Sequence, residues 1–262
     1  MSSRHGASSA HALRRVAVVV PARDEEELLP ACLDSVEVAR AALARRRPDV
    51  EVGVVVVLDR CTDGTAGVVA ARGNVRGVWS DSGVVGAARA AGVAVALADV
   101  PEHVLPATWI ACTDADTTVP AQWLWRQVEL ADEGADLVTG TVVPTDLPGG
   151  LFGRWRARHV LGEGHPHVHG ANLGVRADAY LAVGGFPAEP VHEDVLLVEA
   201  VRATGRPWVA TDATRVATSA RRTGRVVGGG FAGYLRRLAA DVPALQPGDR
   251  PGMEPAPLPE RG

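Results

Sequence analysis

Apolar runs of strand length punctuate the first half of the chain. VAVVV at 16–20, VGVVVVL at 52–58, VRGVW at 75–79 and TWIAC at 108–112 are rich in β-branched and aromatic residues, which suit a pleated, packed surface. Hydrophobicity in VGVVVVL is continuous rather than alternating, and this predicts a strand covered on both faces. Between the runs lie Ala-, Leu-, Glu- and Arg-rich stretches at 24–46, 64–72 and 83–98, long enough for helices. Buried strands alternating with helices predict an α/β fold with a mainly parallel, doubly wound sheet. Asp24 ahead of EEELL predicts a helix whose first turn carries acids against the helix dipole. In RCTDGT, Asp63 or Thr65 is placed to cap the next helix.

After residue 134 the pattern predicts a strand at 136–143 (DLVTGTVV), an irregular PTDLPGG and a His- and Gly-rich stretch at 162–174. Helical patterns return in RADAYLAV and DVLLVEAVRATG, and PWVAT at 207–211 reads as a last strand. Trp123 and Trp125 are expected to pack on a helix. GGGFAG at 228–233 satisfies GxGxxG but follows no strand–turn–helix unit, so Gly-rich flexibility is the plainer account. The expected organisation is a disordered leader at 1–13, a single domain at 14–215, an Arg/Gly-rich loop and C-terminal helix at 216–242, and a Pro-rich disordered tail at 243–262.

With 262 residues, 47% of them hydrophobic, the chain is long enough to bury a sizeable core. A formal net charge of -4 argues against bulk attraction to nucleic acid. Cys32, Cys61 and Cys112 are widely spaced with no CxxC pair, as expected of reduced thiols in a cytoplasmic protein. The first residues lack the apolar core of a secretory signal, and no apolar run approaches the length of a transmembrane segment.

Open α/β sheets bind ligands beyond the carboxyl ends of their strands, and the acidic clusters fall there. Arg23, Asp24 and Glu25 follow the first strand, Asp59 the second, and Asp114 and Asp116 of TDAD the fourth. Crowded carboxylates repel unless something cationic sits among them. A hard divalent cation, Mg2+ or Mn2+, would resolve the repulsion and bridge to substrate phosphates. Asp59 could instead accept hydrogen bonds from a base or ribose. SARRTGR at 219–225 offers Arg221, Arg222 and Arg225 to a diphosphate, or forms a solvated basic loop. His165, His167 and His169 alternate as on a strand. Three imidazoles could hold zinc, but no HExxH-like acid is spaced nearby.

The ordered set VVVPARDEEELLPACLDSV, VLDRCTDGT, TDAD, GANLGVRADAYLAVGGFP and HEDVLLVEAV resembles the family 2 glycosyltransferases, over about residues 14–210. The resemblance implies the GT-A fold and a metal-dependent, inverting transfer of sugar from a UDP-, GDP- or dTDP-sugar to an acceptor hydroxyl on a small-molecule or lipid-linked acceptor. Pro21, Ala22 and Glu25 match the loop along the donor nucleotide, and Asp59 the acid that contacts the base. Leu58 departs from the family's frequent Asp-Asp pair there. Arg89 matches the basic position of the helix lining the diphosphate or sugar. Asp116 is the implied metal ligand and Asp114 faces the metal, ribose or sugar, with His192 or His169 as a third ligand; acceptor or sugar contact is the other reading of the histidines. Asp194 matches the general base, supported by Glu193. An acceptor hydroxyl titrates far above neutrality, so a placed carboxylate must take its proton as it attacks. Alternatively, Asp194 only stabilises a helix N-terminus at 194–203.

Two other functions fit the same pattern. A nucleotidyltransferase would share the sheet and the carboxylates but should carry a Gly-rich phosphate loop with a basic residue near the first strand, which PARDEEE is not. A non-catalytic nucleotide-sugar- or glycan-binding protein would not need TDAD and HED intact.

Overall fold

The computed structural model describes residues 12–221 and 230–240. Most of the expected leader, Arg222, Arg225, the first glycines of GGGFAG and the tail from 243 lie outside the described residues. Eight strands form one sheet: β1 (Arg15–Ala22), β2 (Glu51–Asp59), β3 (Val75–Ser80), β4 (Thr108–Cys112), β5 (Thr117–Thr118), β6 (Leu137–Thr145), β7 (Leu173–Arg176) and β8 (Trp208–Ser219). The helices are α1 (Leu29–Arg46), α2 (Thr65–Ala70), α3 (Val85–Leu97), α4 (Trp123–Asp132), α5 (Gly149–Arg158), α6 (Ala177–Ala182), α7 (Glu193–Ala203) and α8 (Gly230–Ala240).

The sheet order is β3-β2-β1-β4-β7-β6-β8-β5. Pairing is parallel through β3, β2, β1 and β4 and again between β6 and β8. The short β7 runs antiparallel to both β4 and β6, and β5 antiparallel to β8. The expected α/β sheet, mainly parallel and in one domain, is present. Successive residues of β1 explain its unbroken hydrophobicity. Val16, Val18 and Val20 pack with Leu29, Leu33 and Val36 of α1, while Val19 points to the other face, among Val93 of α3 and Leu197 and Val198 of α7. Gly92 lets α3 lie against that face, where a Cβ would meet the Val19 and Val57 side chains.

Three local features depart from the sequence pattern. Helix α1 starts at Leu29, with no acid in its first turn. The acids before it are used elsewhere: Asp24, at φ 53°, accepts the Thr62 N–H at 2.7 Å, and Glu26 accepts the Gly64 N–H at 2.6 Å. Asp63 satisfies the Thr65 N–H that opens α2 at 2.9 Å, so the loops after β1 and β2 are tied together. Second, α5 starts at the last two residues of PTDLPGG and runs through a stretch to which the sequence pattern assigned no element; Leu151 and Trp155 bury themselves against Leu235 and Leu238 of α8. Third, Leu13, assigned to the leader, is fully buried and donates its N–H to Asp132 at 2.7 Å.

Trp123 is buried and donates to Asn172 Oδ1 at 2.9 Å. Asn172 in turn donates to the carbonyls of Thr141 and Thr214 at 2.9 and 2.8 Å, closing the bulge where the β6–β8 register shifts. Trp125 sits by the guanidinium groups of Arg46 and Arg126, 4.1 and 4.3 Å from its ring. Both tryptophans are packing residues. The three cysteines are free thiols. Among the described residues no helix is long and apolar enough to cross a membrane.

Candidate functional site

The carboxyl ends of β1, β2 and β4 open on one rim. Pro21 and Ala22 end β1, and the Ala22 carbonyl accepts a hydrogen bond from Cys61 Sγ at 3.3 Å. Glu25 is held in the following loop by its N–H, which donates to Thr65 Oγ1 at 2.7 Å. Asp59 closes β2. Its Oδ1 accepts from Ser82 Oγ at 3.1 Å and from Gly83 N at 3.0 Å. Gly83 has φ +66° and carries the Arg60 guanidinium where a side chain would otherwise stand.

Asp114 and Asp116 follow β4 and turn to different partners. Asp114 pairs with Arg89 of α3, whose guanidinium also binds Glu193 at the start of α7. Arg89 is 3% exposed. Gly170 covers it so closely that a Cβ there would lie 2.6 Å from Arg89 Cζ. Expected along the donor, Arg89 is therefore enclosed beneath the rim, with its guanidinium engaged by two acids. Burial pushes the Glu193 carboxyl above its ordinary range, opposed by the Arg89 charge.

Asp116 turns toward the end of β8. Its Oδ2 lies 3.0 Å from Arg221 Nη2, and its Oδ1 accepts from Thr218 Oγ1 at 3.3 Å. Arg221 reaches on to Glu25, donating Nη1 to Oε2 at 2.7 Å and Nη2 to Oε1. Burial, with the Asp114 charge added, pushes the Asp116 carboxyl up to about 6 against the opposing pull of Arg221.

Asp194 stands in the first turn of α7, half-buried. It accepts Gly170 N–H at 2.6 Å through Oδ2 and the N–H of Val195 at 2.8 Å through Oδ1. The helix-end role weighed from sequence is thus present, and the Gly170 bond adds a contact across the rim. His192, exposed at φ 65°, precedes it. His165, His167 and His169 lie in extended chain outside any strand, and their rings still stack in sequence, 5.9 and 6.0 Å apart. Burial, then the neighbouring imidazoles, lowers His169 to about 4. His167 Nε2 accepts the Val160 N–H at 3.1 Å, which requires a neutral ring.

Among the described residues no three His, Cys, Asp or Glu side chains converge as a ready metal cage. The donor set nonetheless suits a hard cation that keeps waters and phosphate oxygens for its remaining ligands. Oxygens of Glu25 and Asp116 share one cationic nitrogen, Arg221 Nη2, a stand-in for such an ion. Thr218, Ser82 and Gly83 were not singled out in the sequence as supports of the rim, and Gly170 only as the first residue of GANLGVR. Their side chains are small or absent, and their partners lie far away in the chain. Thr65 had one signal, its place in RCTDGT.

Residues 17–180 match the model of a family described as glycosyl transferase family 2. Uncharacterized glycosyltransferases of Mycobacterium tuberculosis and Mycobacterium bovis are 36% identical over 143 residues, 55% of this chain and 54% of theirs. The chain spans about half the length of these curated relatives. A crystal structure of Staphylococcus aureus TarS superposes with a TM-score of 0.55 and 18% identity, over 79% of this chain and 61% of that one. A mannosyltransferase from Pyrobaculum calidifontis, solved with GDP-Man and Mn2+, gives a TM-score of 0.58 and 21% identity over 84% and 61%. Those structures speak for the GT-A fold alone; with more than half of its residues matched by the family model, the chain belongs to glycosyl transferase family 2.

Proposed function

We propose that this chain transfers sugar from a nucleoside-diphosphate sugar to an acceptor hydroxyl, with a divalent cation and with inversion at the anomeric carbon. One observation carries the reading: Glu25, Asp59, Asp114 and Asp116 share the rim at the carboxyl ends of β1, β2 and β4, and Asp194 is bound across that rim to Gly170. Asp59 and the loop of Pro21, Ala22 and Glu25 would hold the nucleoside. Asp116, backed by Asp114, would hold Mg2+ or Mn2+, with His169 or His192 as a further ligand. A bound divalent ion supplies charge neutralisation for a departing diphosphate. Arg221 and Arg222 would contribute cationic hydrogen bonds to the same phosphates.

Asp194 is the base in this reading. Its two oxygens are fixed by backbone N–H groups, which orient it while leaving acceptor capacity for an incoming hydroxyl. Glu193 works at one remove, holding Arg89 and through it Asp114. An in-line attack from the Asp194 side inverts the anomeric carbon in one step.

Thermal stability measured against UDP-, GDP- and dTDP-sugars, with and without manganese, tests the donor site, since ligands that bind only the folded protein raise its melting temperature. A manganese-dependent rise with one nucleotide class, lost in Asp116→Ala, is expected; no rise with any donor counts against the reading. Asp194→Asn is expected to keep the rise and lose about 10²–10⁴-fold in turnover.

A further inference from the structure

We propose that Arg221 is the built-in counter-ion of Glu25 and Asp116, exchanged for the divalent cation when the donor binds and handed over to the donor's diphosphate. This rests on the metal reading above and adds a competition to it. Arg221 Nη2 contacts Asp116 Oδ2 at 3.0 Å and also Glu25, whose second oxygen takes Nη1 at 2.7 Å. A magnesium-sized ion needs carboxylate oxygens at about 2.0–2.1 Å. The guanidinium presses on the same oxygens, so ion and arginine cannot hold them together.

The surroundings permit the exchange. The Arg221 side chain is 27% exposed, so a rotamer change can carry it out of the carboxylates. Its main chain stays tethered, because Ser219 N donates to the Asp116 carbonyl at 3.0 Å and Arg221 N to Ser219 Oγ at 3.3 Å. Guanidinium pairs with phosphate oxygens in the same bidentate manner as with carboxylates. A diphosphate therefore offers Arg221 a replacement partner at the moment a metal takes the old one. Metal alone must expel a cation into water; metal with a nucleoside diphosphate need not. The two ligands should bind with positive coupling that runs partly through this side chain.

Free manganese measured by electron paramagnetic resonance during titration of the full chain tests this. Wild type, Arg221→Ala and Arg221→Gln would be compared with and without UDP or GDP, their folding checked by circular dichroism. Removing one positive charge within contact distance should tighten binding of manganese alone by about tenfold. It should also reduce the further tightening that the nucleotide gives wild type. Arg221→Gln keeps the aliphatic stem and a neutral hydrogen-bonding head, so it carries the comparison if the alanine variant is unstable. Manganese binding by wild type with nucleotide, and equal or weaker binding of manganese alone by both variants, overturns the exchange and leaves the metal site standing. No binding by any protein, with or without nucleotide, overturns the exchange and the metal reading together.

Discussion

Arg89 and Arg221 each hold a pair of carboxylates at the same rim, under opposite conditions. Arg89 is enclosed by α3, α7 and Gly170, and joins the strand end at Asp114 to the helix start at Glu193. Arg221 lies at the free end of β8, partly open to water, and joins Asp116 to the loop after β1. The chemistry of the two contacts is nearly identical. Burial makes one a permanent strut, because a guanidinium leaving it would strand the buried Glu193 carboxylate and leave the half-buried Asp114 without its partner. At the other, water and incoming phosphate compete on comparable terms.

Breaking the strut should have the largest effect. Arg89→Ala leaves Glu193 and Asp114 without their cation and is expected to cost about 3–5 kcal/mol of unfolding free energy, measured by urea denaturation. Arg221→Ala should cost less, about 1–2 kcal/mol without metal, and millimolar manganese should restore most of it while doing nothing for Arg89→Ala. Equal losses at both positions would erase the distinction. The smallest effect sharpens it with a sign. Asp116 has a folded value of about 6, above the usual 3.9 of an unfolded aspartate. The folded protein thus holds more protons between those values, and the contribution of Asp116 is lost as pH rises through 6. Asp116→Asn should stabilise the metal-free protein by about 1 kcal/mol at pH 7.5, and the gain should shrink to nothing toward pH 4.

The first half of the fold was legible because its strands are covered on both faces. Val16 to Val20 and Val54 to Leu58 are apolar whichever way they point, and that pattern has few other solutions. The later strands are short: β5 is only Thr117–Thr118 and β7 only Leu173–Arg176, and neither outweighs its neighbours in a local window. Helix α5, GGLFGRWRAR, has three glycines and exists through the contacts of Leu151 and Trp155 with α8. The start of α1 was misplaced because Asp24 and Glu26 have partners nearly forty residues away, which no cap rule contains. The acids of the rim were legible as types at strand ends. Which arginine each would meet was not, since Arg89 and Arg221 reach their partners across 25 to 196 positions.

Cys61 offers a handle on the site from an unexpected side. Its thiol binds the Ala22 carbonyl, in the loop proposed to carry the nucleoside, and it is the one cysteine of the three that is not fully buried. Burial pushes the Cys61 thiol's pKa above that of a free thiol, so little thiolate is present, alkylation should be slow, and its rate should depend on how often the loop lifts. The labelling rate of a single side chain would then serve as a clock for breathing of the pocket, readable by mass spectrometry before any acceptor is identified.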